Sequence, residues 1–172
     1  MITEEIAKSI GSSVLCWLAT VSEDGLPNVS PKEAFLHDGE GKILVANIAS
    51  PKTVRNIDQT KNVCLSFVNV FIQKGYKITG KAKVWNPGSV GYEDRLRKLI
   101  SEIGETFPII SIIEIDPTET EEIIAPSYRL FPDSGPLDRI RESLSTYEVI
   151  NYQKRAERDA GDQLPIRPES NV

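Results

Sequence analysis

A strand that runs directly into a helix, through Ala46-Asn47-Ile48-Ala49-Ser50-Pro51-Lys52-Thr53-Val54-Arg55-Asn56-Ile57, constrains this chain more than any other segment. Lys42 to Val45 opens it as a short apolar run with strand character. Ser50 then stands where an N-cap belongs. Pro51 takes the first helical position, where its fixed φ and missing N–H do no harm, so a helix is predicted from Pro51 to about Thr60. Its first turn carries Lys52 and, just beyond, Arg55, with no carboxylate before Asp58. A helix start favours negative charge by roughly 0.3–1 kcal/mol per group, so these cations are electrostatically misplaced unless an anion joins them. Two readings of these residues stay open. Either a phosphate is held by the free backbone N–H groups, the Ser50 and Thr53 hydroxyls and Lys52, or the helix start is hydrated with Lys52 in water.

Composition narrows the classes. A chain of 172 residues with 40% hydrophobic content suits one ordinary domain with a single core. A net charge of -5 argues against a nucleic-acid surface, which clusters Lys and Arg. No apolar run approaches the roughly 20 residues that span a bilayer, and Met1-Ile-Thr-Glu-Glu-Ile-Ala-Lys8 lacks the layout of a secretion signal, so a cytoplasmic protein is expected. Cys16 and Cys64 each lie in a strand-like apolar run and read as buried thiols. His37 is the sole histidine and sits in the turn-like His37-Asp38-Gly39-Glu40-Gly41. Neither a metal cluster nor a Ser-His-Asp triad has support, so no metal is expected and no catalytic residue is identified.

Along the chain, residues 3–11 read as a short packing helix stopped by Gly11. Val14 to Val21, the turn Ser22-Glu23-Asp24-Gly25 and a second strand through Pro27-Asn28-Val29-Ser30-Pro31-Lys32 to Leu36 form a hairpin. Pro31 cannot donate to a ladder, so that second strand is an edge, bulged or interrupted. Val63 to Asn69 is a strand covered on both faces. Tyr76 to Trp85 alternates lysines 77, 81 and 83 with apolar residues, a pattern read as a solvated face over a basic binding stripe, and Gly80 marks a bend. Tyr92 to Gly104 fits an amphipathic helix, and two further strands, Ile109–Asp116 and Glu121–Ala125, flank a Pro117-Thr118 turn. Beyond Pro132 the composition shifts. Leu137 to about Ala160 is a charged helical appendage whose stripe of Leu137, Ile140 and Leu144 needs a partner, and from Gly161 the polar, proline-broken tail reads as mobile.

This succession, with its Pro27–Lys32 and Asn47–Ile57 signatures, resembles the flavin-binding split barrels related to pyridoxamine 5′-phosphate oxidase over roughly Val14 to Ala125. The resemblance implies a mainly β (α+β) fold, an antiparallel split β-barrel of the FMN-binding type with flanking helices. With the shift in composition beyond Phe131, the chain divides into an FMN-binding domain over 1–131, a helical appendage over 132–160 and a tail over 161–172. The resemblance also implies that Ser50, Lys52 and Thr53 hold the FMN phosphate, with Arg55 near enough to add charge, and that Ser30, Pro31 and Lys32 lie along the ribityl chain and ring beside Asn47. Family members are dimers with FMN in a cleft between subunits, so a homodimer is expected. The vitamin-B6 substrate site is not supported, because Glu121 to Phe131 offers only Arg129 and Tyr128 where the true oxidase is rich in Arg, Trp and His. The function expected is an FMN-dependent oxidoreductase that moves electrons from a reduced nicotinamide to a small acceptor. The alternatives are a non-catalytic FMN sensor or carrier and, more weakly, a binder of haem or deazaflavin.

Overall fold

The structure is a computed structural model and describes residues 1–104, 108–131 and 135–147. Two compact units divide the chain, one of Met1–Asn69 with Gln73–Ala125, the other of Val70–Ile72 with the residues from Pro126 onward.

The first unit is an antiparallel barrel. After helix α1 (Glu4–Gly11) come β1 (Cys16–Val21), β2 (Pro27–Lys32), β3 (Phe35–His37), β4 (Ile43–Asn47), α2 (Pro51–Thr60), β5 (Asn62–Asn69), β6 (Lys74–Trp85), α3 (Tyr92–Ile103) and β7 (Ser111–Ile124). The seven strands form one sheet in the order β2-β1-β5-β6-β7-β4-β3. Its two edge strands, β2 and β3, are consecutive in sequence, separated only by Glu33 and Ala34. Laid flat, edges six strand spacings apart would stand about 29 Å from one another, whereas a link this short reaches about 10 Å. The sheet must therefore curl until its edges meet. Phe35, Ile43, Val45, Leu65, Phe67, Ile78 and Ile113 fill the interior, with Ile6 and Ile10 of α1 and Ile57 of α2 packed against them. A second cluster lies on the other side of β3 and β4, where Tyr92 and Leu99 of α3 cover Leu36, Leu44, Ala46 and Ile112.

Several expectations change in the folded chain. The run from Pro27 to Leu36 is two strands on opposite sheet edges; Pro31 sits in edge strand β2, opposite Trp17, where its missing N–H costs no interior ladder bond. The two strands expected around Pro117 are one, β7. Pro117 is tolerated because β4 pairs with β7 only as far as Ile115, and a β-bulge takes up the irregularity, with Thr118 of β7 the extra residue opposite Thr79 and Gly80 of β6. Gly80 lies at that bulge, where a Cβ would fall 2.4 Å from the Asp116 carbonyl, as the expected bend requires. Gly11 does not stop α1 by a left-handed turn; it is the last helical residue, and Ser12 caps the helix in the right-handed region. The lysine row of β6 faces acids across the β7 ladder, with Lys77 2.9 Å from Glu121, which supports the solvated-face reading.

In the second unit, α4 (Ser127–Leu130) and α5 (Pro136–Thr146) gather around the Val70–Ile72 tip. The Tyr128 hydroxyl donates to the Ile72 carbonyl at 2.7 Å and the Ser143 hydroxyl to the Phe71 carbonyl at 3.0 Å. The buried residues of α5 are Arg139 and Ser143, and Leu137 of the expected stripe is 69% exposed. The appendage beyond Tyr147 and the tail over 161–172 lie outside the described residues.

Candidate functional site

Strand β2 alternates its side chains, so Asn28, Ser30 and Lys32 share the inward face while Pro27, Val29 and Pro31 look outward. α2 packs against β1 and β2 and brings a polar row to meet that inward face. The Thr53 hydroxyl, 1% exposed as a residue, accepts from Asn28 Nδ2 at 3.3 Å and lies 3.1 Å from the Ser30 hydroxyl. Thr20 of β1 accepts from Asn28 at 3.2 Å and from the buried Asn56 at 3.0 Å. These bonds fix the start of α2 against the β1–β2 hairpin.

Lys32 is 5% exposed, and its ammonium donates to the Ser50 hydroxyl. Among the described residues no carboxylate pairs with it. Burial pulls its pKa below 10.5, offset in part by the neighbouring Cys16. The same burial pushes the Cys16 thiol up to about 12 against the pull of Lys32, so Cys16 is a protonated, inert thiol. Ser50 occupies the N-cap position of α2, as expected, but its side chain makes no cap hydrogen bond; it serves Lys32 instead. The Ser50 backbone N–H donates to Asn47 Oδ1 at 3.1 Å, and Asn47 Nδ2 donates to the Ser111 hydroxyl at 2.9 Å, which anchors the strand-to-helix turn to β7. The first turn of α2 contains no acidic residue. A buried ammonium and an uncapped, acid-free helix start therefore stand together, the arrangement that attracts an anion.

A cleft of about 340 Å³ opens beside them, lined by Ser30, Pro31, Lys32, Glu33, Ala34, Ala46, Ile48, Ala49 and Ser50. Of the residues expected at the site, Ser30, Pro31, Lys32 and Ser50 line it, and Asn47 supports its wall through Ser50. Lys52 and Arg55 are exposed on α2. Thr53, expected to offer its hydroxyl to a phosphate, turns it toward β2. Asn28, Thr20, Asn56 and Ser111 were not singled out from sequence; the polar positions alternating along β2 and on one face of α2 are the signal that finds them. The small, buried side chains of Ala34 and Ala46 border it. A larger cleft of about 440 Å³ lies between α3 and the β3–β4 turn, but its cations are already matched. Arg95 and Lys42 meet the buried Glu114 at 2.5 and 3.2 Å, and Lys98 meets Glu40 at 3.0 Å. Among the described residues no cluster could hold a metal ion, and His37 lies at the far end of β3, outside the cleft lining. No helix among them is long and apolar enough to cross a membrane.

Residues 2–124 match the pyridoxamine 5′-phosphate oxidase family. An uncharacterised protein of Methanocaldococcus jannaschii is 33% identical over 89 residues, 51% of this chain and 58% of the relative, so the match spans little more than half of that protein. An FMN-binding protein from Syntrophomonas wolfei subsp. wolfei shares the fold with a TM-score of 0.58 at 16% identity, covering 70% of this chain and 86% of that one. The heme storage protein HutZ from Vibrio cholerae does so with a TM-score of 0.55 at 19% identity, covering 72% of this chain and 94% of its own. With a matching family profile over most of its length and the curled seven-stranded sheet of these split barrels, the chain belongs to the pyridoxamine 5′-phosphate oxidase family.

Proposed function

We propose that the cleft binds FMN and that the protein is an FMN-dependent oxidoreductase taking electrons from a reduced nicotinamide. The observation that carries this reading is Lys32, an ammonium 5% exposed with no described carboxylate partner, joined to Ser50 at the start of α2. Burying an uncompensated charge is costly, and an anionic ligand removes that cost. The residues fit the cofactor. The free N–H groups of α2 with Lys52 suit a phosphate, and Lys32 suits the electron-rich edge of a flavin. When bound, the flavin supplies the hydride and electron chemistry. The chain's part is to grip the phosphate, orient the ring and place Lys32 where negative charge develops. A proton-transferring side chain is not required of it, in keeping with a cleft lined by no histidine.

Family likeness supports a homodimer, and so does the outer face of β1, β2 and β5. Trp17 is 46%, Val29 58% and Val68 37% exposed there, an apolar surface suited to a second copy. The reading places the protein in the cytoplasm. A haem reading has less to stand on, since the sole histidine is outside the cleft.

The test is a titration of ligand-free protein with FMN beside riboflavin, followed by anaerobic addition of NADH and NADPH. FMN binding at least about tenfold tighter than riboflavin, with bleaching by either nicotinamide, is the expected result. Equal affinities would overturn the phosphate assignment, and tight FMN without bleaching would leave a sensor or carrier.

A further inference from the structure

The cleft is electrically lopsided. Of its lining residues only Lys32 and Glu33 carry charge, and they sit at opposite depths: Lys32 is buried against Ser50, whereas Glu33 is exposed. The chain direction explains the difference. Lys32 is the last residue of β2 and points inward by strand alternation, while Glu33 opens the two-residue link to β3 and is released from the ladder. Among the described residues no cation pairs with the Glu33 carboxylate, and Lys52 and Arg55 do not line the cleft. Once an anionic cofactor has matched Lys32 and the start of α2, Glu33 is the charged side chain left facing whatever enters next.

We propose that Glu33 selects the second ligand of the cleft by charge, favouring a cationic or amine-bearing ring over an anionic one. The proposal rests on the FMN reading above. Removing a unit charge a few ångströms from a singly charged ligand, in a partly solvated site, changes affinity by about three- to tenfold, with opposite sign for cation and anion.

The test uses three rings of nearly one shape and different charge: 1-methylnicotinamide (cation), nicotinamide (neutral) and nicotinate (anion). Each is titrated into the FMN-loaded full chain and followed by the difference absorption spectrum of the flavin, without turnover. The parent should bind in the order cation, neutral, anion. Glu33→Gln should shrink the cation-to-anion ratio by about ten- to a hundredfold, and Glu33→Lys should invert the order. No order in the parent, or an order that survives Glu33→Gln, overturns the proposal. FMN titrations of all three proteins keep the two readings apart. If the parent does not bind FMN, the functional reading fails and this one with it; if all three load FMN and the ratio stays fixed, only the role of Glu33 falls. Should Glu33→Lys fail to load, the Gln variant still decides.

Discussion

At the residue scale the two sides of the Cys16–Lys32 cross-strand pair are held away from their ordinary protonation in ways that oppose each other. Cys16 keeps its proton more tightly folded than unfolded, so its contribution to stability is present below pH 9.0 and is lost as pH rises toward about 12. Lys32 releases its proton more readily in the fold, so its penalty is relieved as pH climbs from its lowered value toward 10.5. Denaturant titrations across that alkaline window should show a fall in stability that Cys16→Ala flattens and Lys32→Met steepens. Lys32→Met should also raise the melting temperature of the ligand-free protein while weakening FMN by about tenfold or more, since a hydrogen bond from a charged donor goes with it. A Lys32→Met protein that melts lower and binds FMN as well as the parent would remove the central argument for an anion site. The resemblance pointed to Lys32 on β2, but its burial was not legible. That follows from the register of β2 on β1, which a single sequence does not state.

At the scale of elements, α2 divides its polar residues between two tasks. Lys52 is exposed at the acid-free first turn, whereas Thr53 is buried in the bonds to Asn28 and Ser30. Lys52→Ala should therefore reduce FMN affinity by about tenfold, leave riboflavin affinity alone and spare the melting temperature. Thr53→Val should cost about 1–2 kcal/mol of stability in the ligand-free protein, measured by urea unfolding, because Asn28 and Ser30 lose a partner. Equal losses from both variants, in either measurement, would argue against this division. Gly75 marks another element constraint: a Cβ there would lie 1.9 Å from the Phe67 carbonyl across the β5–β6 ladder. Gly75→Ala should cost about 1–3 kcal/mol, read in the same unfolding curves. The start of α2 was legible because Pro51 at the first helical position is a local signal, even though the Ser50 hydroxyl caps nothing. The single strand β7 was not, because Pro117 reads as a breaker unless it is known that β4 has already ended beside it.

At the scale of the whole molecule, hydrophobic alternation announced strands and helices but not the sheet order, which rests on pairings between residues far apart in sequence. The resemblance carried the barrel, and the two-residue link between β2 and β3 explains physically why it closes. The outward surface of β1 and β2 belongs to this scale too. If the proposed dimer forms through this face, Trp17→Lys should shift sedimentation velocity from dimer to monomer; a parent that sediments as a monomer would exclude the dimer. The meeting of the two sheet edges has one more consequence. No ladder bond joins β2 to β3, so each edge is held only from its far side, by β1 and by β4, and Glu33, exposed in the link between them, is the seam residue least tied to the scaffold. A library that varies Pro31, Glu33, Ile48 and Ala49, lining positions outside the side-chain hydrogen bonds that tie β2 and β4 to their neighbours, should therefore alter what the cleft accepts while the barrel goes on folding.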